Sequence, residues 1–241
     1  MGSWRWAAIA VLVAALGSAA GAATDPEADL RRAFSAFIKA QELRIDAVPD
    51  LYPGGYARIS IYARQADLGG MIVDEAWFRL VGASLDPEAL GKGELRVLDL
   101  RDRAMYIKAS IKNLEAYFQQ GNPVRDIRLR SDGQYIYAEG TVPLAGVMAR
   151  VRLKGFFAVG GTKDVYFYID DLKINGLPIL YPLLRKWEQD INPVFTQALW
   201  PITFAIRSLR MTTEAFIVSS LANANAPCLF CTGGESPVVA P

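Results

Sequence analysis

The 241-residue chain contains no histidine and only two cysteines. Without histidine there is no Ser-His-Asp or Cys-His nucleophile, the commonest general base is missing, and most zinc sites are excluded. Formal charge is +1, from 26 basic and 25 acidic residues that intermix along the chain, which argues against the concentrated basic surface of a nucleic-acid-binding protein. No G-x-S-x-G elbow, phosphate-binding P-loop or dinucleotide fingerprint occurs. Gly91-Lys92-Gly93 and Gly160-Gly161-Thr162-Lys163 resemble phosphate loops only superficially, because both fall where hairpin turns are expected. Asp170 and Asp171 are adjacent, so on a strand they point to opposite faces and share neither a metal nor a proton unless a bulge intervenes. The other carboxylates leave an acid/base pair possible, but no spacing selects one. The inventory predicts a non-catalytic binding protein with no cofactor and no metal.

The termini predict the compartment. Arg5, the apolar run Ala7 to Leu16 and the small residues Ala20-Gly21-Ala22 have the form of a secretory signal peptide over residues 1–22, cleaved before Ala23. The run has about ten residues, roughly half of what a bilayer span needs, which weighs against the alternative of an uncleaved anchor. No cysteine follows the small residues, so a lipoprotein anchor is not expected. An exported protein of the periplasmic or cell-envelope space is predicted, with one domain over residues 23–221 and a disordered, Pro/Gly-rich tail over 222–241. Cys228 and Cys231 lie in that tail. There the C-x-x-C spacing fits a local disulfide or an oxidised tail better than thioredoxin-like redox chemistry.

What the chain has in abundance is strict alternation. Ile127 and Leu129 alternate with Arg128 and Arg130, and Asp132-Gly133 turns the chain into Ile136, Ala138 and Val142. Val147, Ala149, Val151 and Leu153 follow opposite Arg150, Arg152 and Lys154, and Gly160-Gly161 turns into Val165, Phe167 and Ile169. A period of two makes one face apolar and the other wet, and DG and GG match the twist of a hairpin. Earlier strands are expected at Ile59, Ile61 and Ala63; at Ile72, Ala76, Phe78 and Leu80; at Leu95, Val97 and Leu100; and at Met105, Ile107, Ala109 and Ile111. Helical spacing predicts a first helix from Asp25-Pro26-Glu27 to near Arg44, a short one over 113–120 and a third over 178–189. A last hairpin is expected from Ile202, Phe204 and Ile206 to Ala215–Val218.

Several segments together resemble a known family. Ile111-Lys112-Asn113-Leu114-Glu115-Ala116-Tyr117-Phe118 is similar to its strand-to-helix segment. Gly155 to Gly161, Ile174-Asn175-Gly176-Leu177-Pro178, and Ile191-Asn192-Pro193-Val194 with Trp200-Pro201-Ile202 are similar to its later blocks. Over residues 40–219 the chain resembles the LmeA-like family of secreted bacterial phospholipid-binding proteins. The resemblance implies an α+β fold with a long curved antiparallel sheet wrapped around amphipathic helices, as in one half of a tubular lipid-binding (TULIP-like) domain. It also implies envelope phospholipid as the partner. It carries over no catalytic residue.

The expected lipid-binding face consists of Ile59, Ile61, Phe78, Leu80, Met105, Ile107, Ile136, Val151, Leu153, Phe157, Val165, Phe167 and Ile169. A chain of about twelve methylenes buried there contributes on the order of 10 kcal/mol gross. On the opposite face Arg128, Arg130, Arg150, Arg152 and Lys154 form a basic ladder. It is either a solvated surface or a membrane-docking one worth about 1 kcal/mol per charge against anionic lipid. Tyr135, Tyr137, Tyr166 and Tyr168 share this face, as ordinary cross-strand packing or as an interfacial belt. The alternative to a lipid groove is an envelope scaffold with a closed core that binds protein or glycan.

Overall fold

The computed structural model describes residues 26–120, 124–144, 146–179 and 181–223. The expected signal peptide, Cys228 and Cys231 lie outside the described residues. In chain order the elements are α1 (Pro26–Phe37), β1 (Lys39–Pro49), β2 (Gly55–Leu68), β3 (Met71–Leu85), α2 (Pro87–Gly91), β4 (Val97–Ser110), α3 (Ile111–Gln119), β5 (Arg125–Ser131), β6 (Ile136–Leu144), β7 (Val147–Gly160), β8 (Asp164–Ile174), β9 (Leu177–Pro178), α4 (Tyr181–Ile191), β10 (Ser208–Met211) and β11 (Ala215–Ser219). The fold is α+β and its strand pairs are antiparallel. The strands are divided between two sheets, where one long sheet was expected: a six-stranded sheet ordered β1-β2-β3-β4-β11-β10 and a five-stranded sheet ordered β5-β6-β7-β8-β9. Inner residues of both sheets join one apolar core. Phe157 of β7 meets Phe216 of β11 there at 4.7 Å between ring centroids.

The division falls at α3. Alternation through Met105, Ile107 and Ala109 extends to Ile111, yet Ile111 opens a helix, because the Ser110 hydroxyl accepts the Asn113 N–H at 3.3 Å and caps it. Other departures also have local causes. The first helix stops at Phe37 rather than near Arg44: beyond Ile38 the apolar residues Leu43, Ile45 and Ala47 recur every second position, and Lys39–Pro49 pairs with β2. Segments 95–100 and 105–110, expected as two strands, merge into β4 apart from Leu95. Ile202, Phe204 and Ile206 alternate but form no strand. The Gln197 amide takes both backbone groups of Phe204, at 2.6 and 3.0 Å, in place of a neighbouring strand.

In the six-stranded sheet the alternation changes phase. Ile59, Ile61 and Ala63 face the core opposite Leu80, Phe78 and Ala76; beyond them it is Ala66 and Leu68, opposite Val73 and Met71, that face inward. The slip is taken up at Gln65, whose φ of 49° is left-handed. Asp74, directly across, uses the slip. Its carboxylate accepts from the Gln65 side-chain amide at 3.1 Å, the Asn113 side-chain amide at 3.2 Å and the Ser110 backbone N–H. One side chain thus ties β2 and β3 to the start of α3. Asp74→Ala leaves three donors without their acceptor and is expected to cost about 2 kcal/mol. Urea unfolding should show a lower midpoint with an unchanged slope.

Candidate functional site: an apolar groove on the five-stranded sheet

Helices meet the outer edge of β5 and the middle of β8, whose last two residues pair with β9 and whose Val165 is bridged by Phe195. At the β5 edge, Glu115 of α3 accepts the Leu129 N–H at 2.8 Å, and the Gln119 amide donates to the Ile127 carbonyl at 3.1 Å. At the β8 edge, Glu188 of α4 accepts the Ile169 N–H at 2.8 Å. Asn192, just past that helix, accepts the Phe167 N–H at 2.6 Å and donates to its carbonyl at 2.8 Å. Each pair is spaced i,i+4, so both members lie on one side of a helix and reach along a strand. Each is preceded by an apolar residue: Leu114-Glu115 and Phe118-Gln119 in the first case, Trp187-Glu188 and Ile191-Asn192 in the second. The pattern apolar-Glu-x-x-apolar-amide therefore caps a sheet edge with its polar members and turns its apolar members toward the interior. The pattern is legible in the sequence, and reading for chemistry motifs passed over it.

Phe118 from one helix and Trp187 and Ile191 from the other wall a groove of about 140 Å³ over the inner face of the sheet. Its floor is Ile127, Ile136, Val151, Phe167 and Ile169, all buried. Leu129, Ala138, Leu153, Trp187 and Ile191 also line it and are only partly buried, so the groove reaches solvent. Val124 and Gly140 complete the apolar lining. The acidic residues at its margin are Glu139 and Asp190. A cavity of ~150 Å³ lined by aliphatic and aromatic side chains holds a benzene molecule. This groove therefore admits a ring or a short run of hydrocarbon, on the order of six carbons, and gross burial nearer ~5 than ~10 kcal/mol.

The expected lipid-binding residues separate into groups. Ile136, Val151, Leu153, Phe167 and Ile169 line the groove. Ile61, Phe78 and Leu80 face a second cleft with Phe34, Phe37 and Phe204, but its volume is only about 10 Å³, so those side chains are packed. Ile59, Met105 and Ile107 are buried in the core of the six-stranded sheet. Phe157 is buried against Phe167 and Phe216, and Val165 beneath the β-bridge to Phe195. The groove occupies only one part of the expected face, because α1 and the Trp200 segment fill the rest; Trp200 contacts Phe37, Phe78, Phe195 and Phe204.

The outer face carries the basic ladder, interleaved with acids and rings. Arg128 pairs with Glu115 at 3.3 Å, Arg150 and Arg152 share Glu139 at 3.4 and 3.5 Å, and Lys154 pairs with Asp170 at 2.8 Å. Arg130 lies 4.4 Å from the centre of the Tyr137 ring, and the Lys154 ammonium 3.7 Å from that of Tyr135. Phe156 stacks on Tyr168 at 5.6 Å and meets Tyr135 edge-on. Tyr166 packs over Gly160. A bulge does separate Asp170 from Asp171: Lys154 is opposite Asp171 and Gly155 opposite Ile169. Each aspartate is taken by a different lysine, Asp171 by Lys173 at 2.7 Å. At the β5–β6 turn the Asp132 carboxyl is held down to about 2 by the N–H groups of Tyr135 and Gln134 and by the Tyr137 hydroxyl. That bond raises the Tyr137 phenol, and the bond to Asp170 raises Lys154.

No family model, curated protein or solved structure matches the chain.

Two outcomes are expected. Leu153→Trp adds volume at the open side of the groove and stays apolar, so it should lower uptake of an environment-sensitive apolar dye at least tenfold while shifting the thermal midpoint little. A lowered midpoint with dye uptake per folded molecule unchanged would place residue 153 in the packed core. The folded carboxyl of Asp132 titrates below its unfolded value, so its contribution is complete above about pH 3.8 and is lost as pH falls toward about 2. Asp132→Asn should therefore lower stability near neutral pH, with the difference from the parent shrinking as pH falls through that window, as read from urea unfolding at a series of pH values.

Proposed function

We propose that this is an exported, non-catalytic protein that binds the hydrocarbon part of a phospholipid-like amphiphile in the groove between α3 and α4. The observation that carries the reading is a solvent-accessible, almost wholly apolar groove held open by two helices whose polar side chains are committed to the sheet edges. The signal-like first 22 residues, the alternating strands and the resemblance to LmeA-like proteins support it. The α+β fold with antiparallel sheets accords with a TULIP-like half-domain in which curved sheet encloses helices. Apolar burial alone supplies the affinity, and ordering of the ligand offsets part of it. A groove of this size holds only part of an acyl chain. The remainder and the headgroup stay outside, which suits presentation or transfer better than sequestration. The competing reading, a scaffold with a closed core, expects this space to be filled.

Protein purified from an exporting host should carry co-purifying amphiphile, seen by native mass spectrometry and identified after solvent extraction. Val151→Asp and Phe167→Asp place a charge on the groove floor at a cost of several kcal/mol and should remove it. Because both residues are buried, their folding needs to be checked by circular dichroism; Leu153→Trp tests the same point without a charge. A clean apo protein that takes no labelled phospholipid from micelles would overturn the reading.

A further inference from the structure

Four exposed apolar residues of the five-stranded sheet gather at one end, apart from Phe156 and Tyr168 on its outer face. At the β6–β7 turn, Leu144 is 51 % exposed, Val147 64 % and Met148 53 %, and Leu177, at the turn into β9, is 70 % exposed. Leu144 is paired with Val147 at the very end of the hairpin. Behind them, Arg125, Thr141 and Arg150 form one row across β5, β6 and β7, and the Arg150 carbonyl accepts the Asn175 N–H at 2.8 Å, so Leu177 follows directly from this row. The first charge behind the tip is a cation on three of the four long strands: Arg125 on β5, Arg150 on β7 and Lys173 on β8. An apolar end backed by cations is the arrangement that partitions into the boundary of an anionic bilayer, apolar groups among the upper acyl chains and basic groups at the phosphates.

A second exposed apolar end supplies the contrast. At the β1–β2 turn Leu51 is 102 % and Tyr52 49 % exposed, with Leu98 of β4 62 % exposed on a nearby strand. The charges near it are Asp50, Asp86, Asp99 and Arg96, which pairs with Asp86 at 3.4 Å, so acids are in excess there. Charge therefore singles out the β6–β7 end for an anionic surface. On the flat outer face of the sheet, four of the five ladder cations, Arg150 among them, already share carboxylates. At the tip Lys173 pairs with Asp171 at 2.7 Å, and Arg125 is in no ion pair among the described residues.

We infer that the protein docks end-on to an anionic phospholipid bilayer through the β6–β7 hairpin, with Leu144, Val147, Met148 and Leu177 in the interface and Arg125, Arg150 and Lys173 at the phosphates. This goes beyond the binding of a single amphiphile and does not require the groove to be filled. Gly140 and Val151, at the near end of the groove, lie four residues along the strands from Leu144 and Val147. At ~3.3 Å per residue this sets the groove about 13 Å behind the tip.

Flotation with phosphatidylcholine vesicles, with and without phosphatidylglycerol, tests it. The parent protein should float with the anionic vesicles and respond to salt. Leu144→Ser combined with Val147→Ser should reduce binding at least tenfold with an unchanged melting curve, since both residues are exposed. Arg125→Glu should weaken binding to anionic vesicles and leave the neutral ones unaffected, and Leu51→Ser should bind like the parent. Leu153→Trp should float normally while holding less ligand, so a failure of docking and a failure of the groove are separable. A double serine variant that floats like the parent overturns the inference. So does a parent that binds no vesicle, or loss of binding in Arg152→Glu, on the outer face, with none in the tip variants.

Discussion

A five-stranded sheet has open edges, and the backbone groups along them must be satisfied. Here a helix meets the outer edge of β5 and another the stretch of β8 that the short β9 leaves unpaired, each held by a carboxylate and an amide four residues apart: Glu115 with Gln119, and Glu188 with Asn192. Much else in this half of the molecule depends on these bonds. They keep α3 and α4 at the edges of the sheet instead of over its middle. Helices lying across the middle would have filled the inner face as an ordinary core. Set at the margins, they become walls, and Phe118, Trp187 and Ile191 overhang a floor of aliphatic and aromatic side chains.

The same bonds help explain why the two sheets differ. On the six-stranded sheet, α1 and the segment around Trp200 lie against the inner face, and the cleft left there is about 10 Å³. Asp74 fixes where that sheet ends and α3 begins, since it holds Gln65, Ser110 and Asn113 together at the point where the alternation slips. One half of the fold thereby acts as a packed base and the other keeps space over its floor. The base contributes a wall as well, because α3 starts where β4 stops.

The ladder of cations on the outer face has a different balance from the tip of the same sheet. Glu115, Glu139 and Asp170 answer Arg128, Arg150, Arg152 and Lys154 within the face, and rings cover Arg130 and Lys154. Exposed pairs of this kind contribute little to stability. Their larger effect is to neutralise the face locally. Behind the apolar tip Arg150 shares Glu139 and Lys173 pairs with Asp171, while Arg125 is in no ion pair among the described residues, so the end of the sheet keeps one cation without a carboxylate where the flat surface has most of its own neutralised.

Period-two alternation determined the antiparallel strands, their turns at Asp132-Gly133 and Gly160-Gly161, and the inward side of Ile136, Val151, Phe167 and Ile169, because strand geometry converts alternation directly into facing. The α+β class was legible for the same reason. Tertiary structure decided the rest. Whether an inward residue lines a groove or a packed core depends on what lies above it: Ile61, Phe78 and Leu80 read like Val151 and Phe167 in sequence and differ only in being covered by α1 and the residues around Trp200. The switch from strand to helix at Ile111 depends on Asp74, 37 residues earlier, and the phase slip at Gln65 on its partner across the hairpin. Local pattern states which way a side chain points. What it meets there is set by contacts between segments far apart in the chain, and those alone left this sheet with room above it.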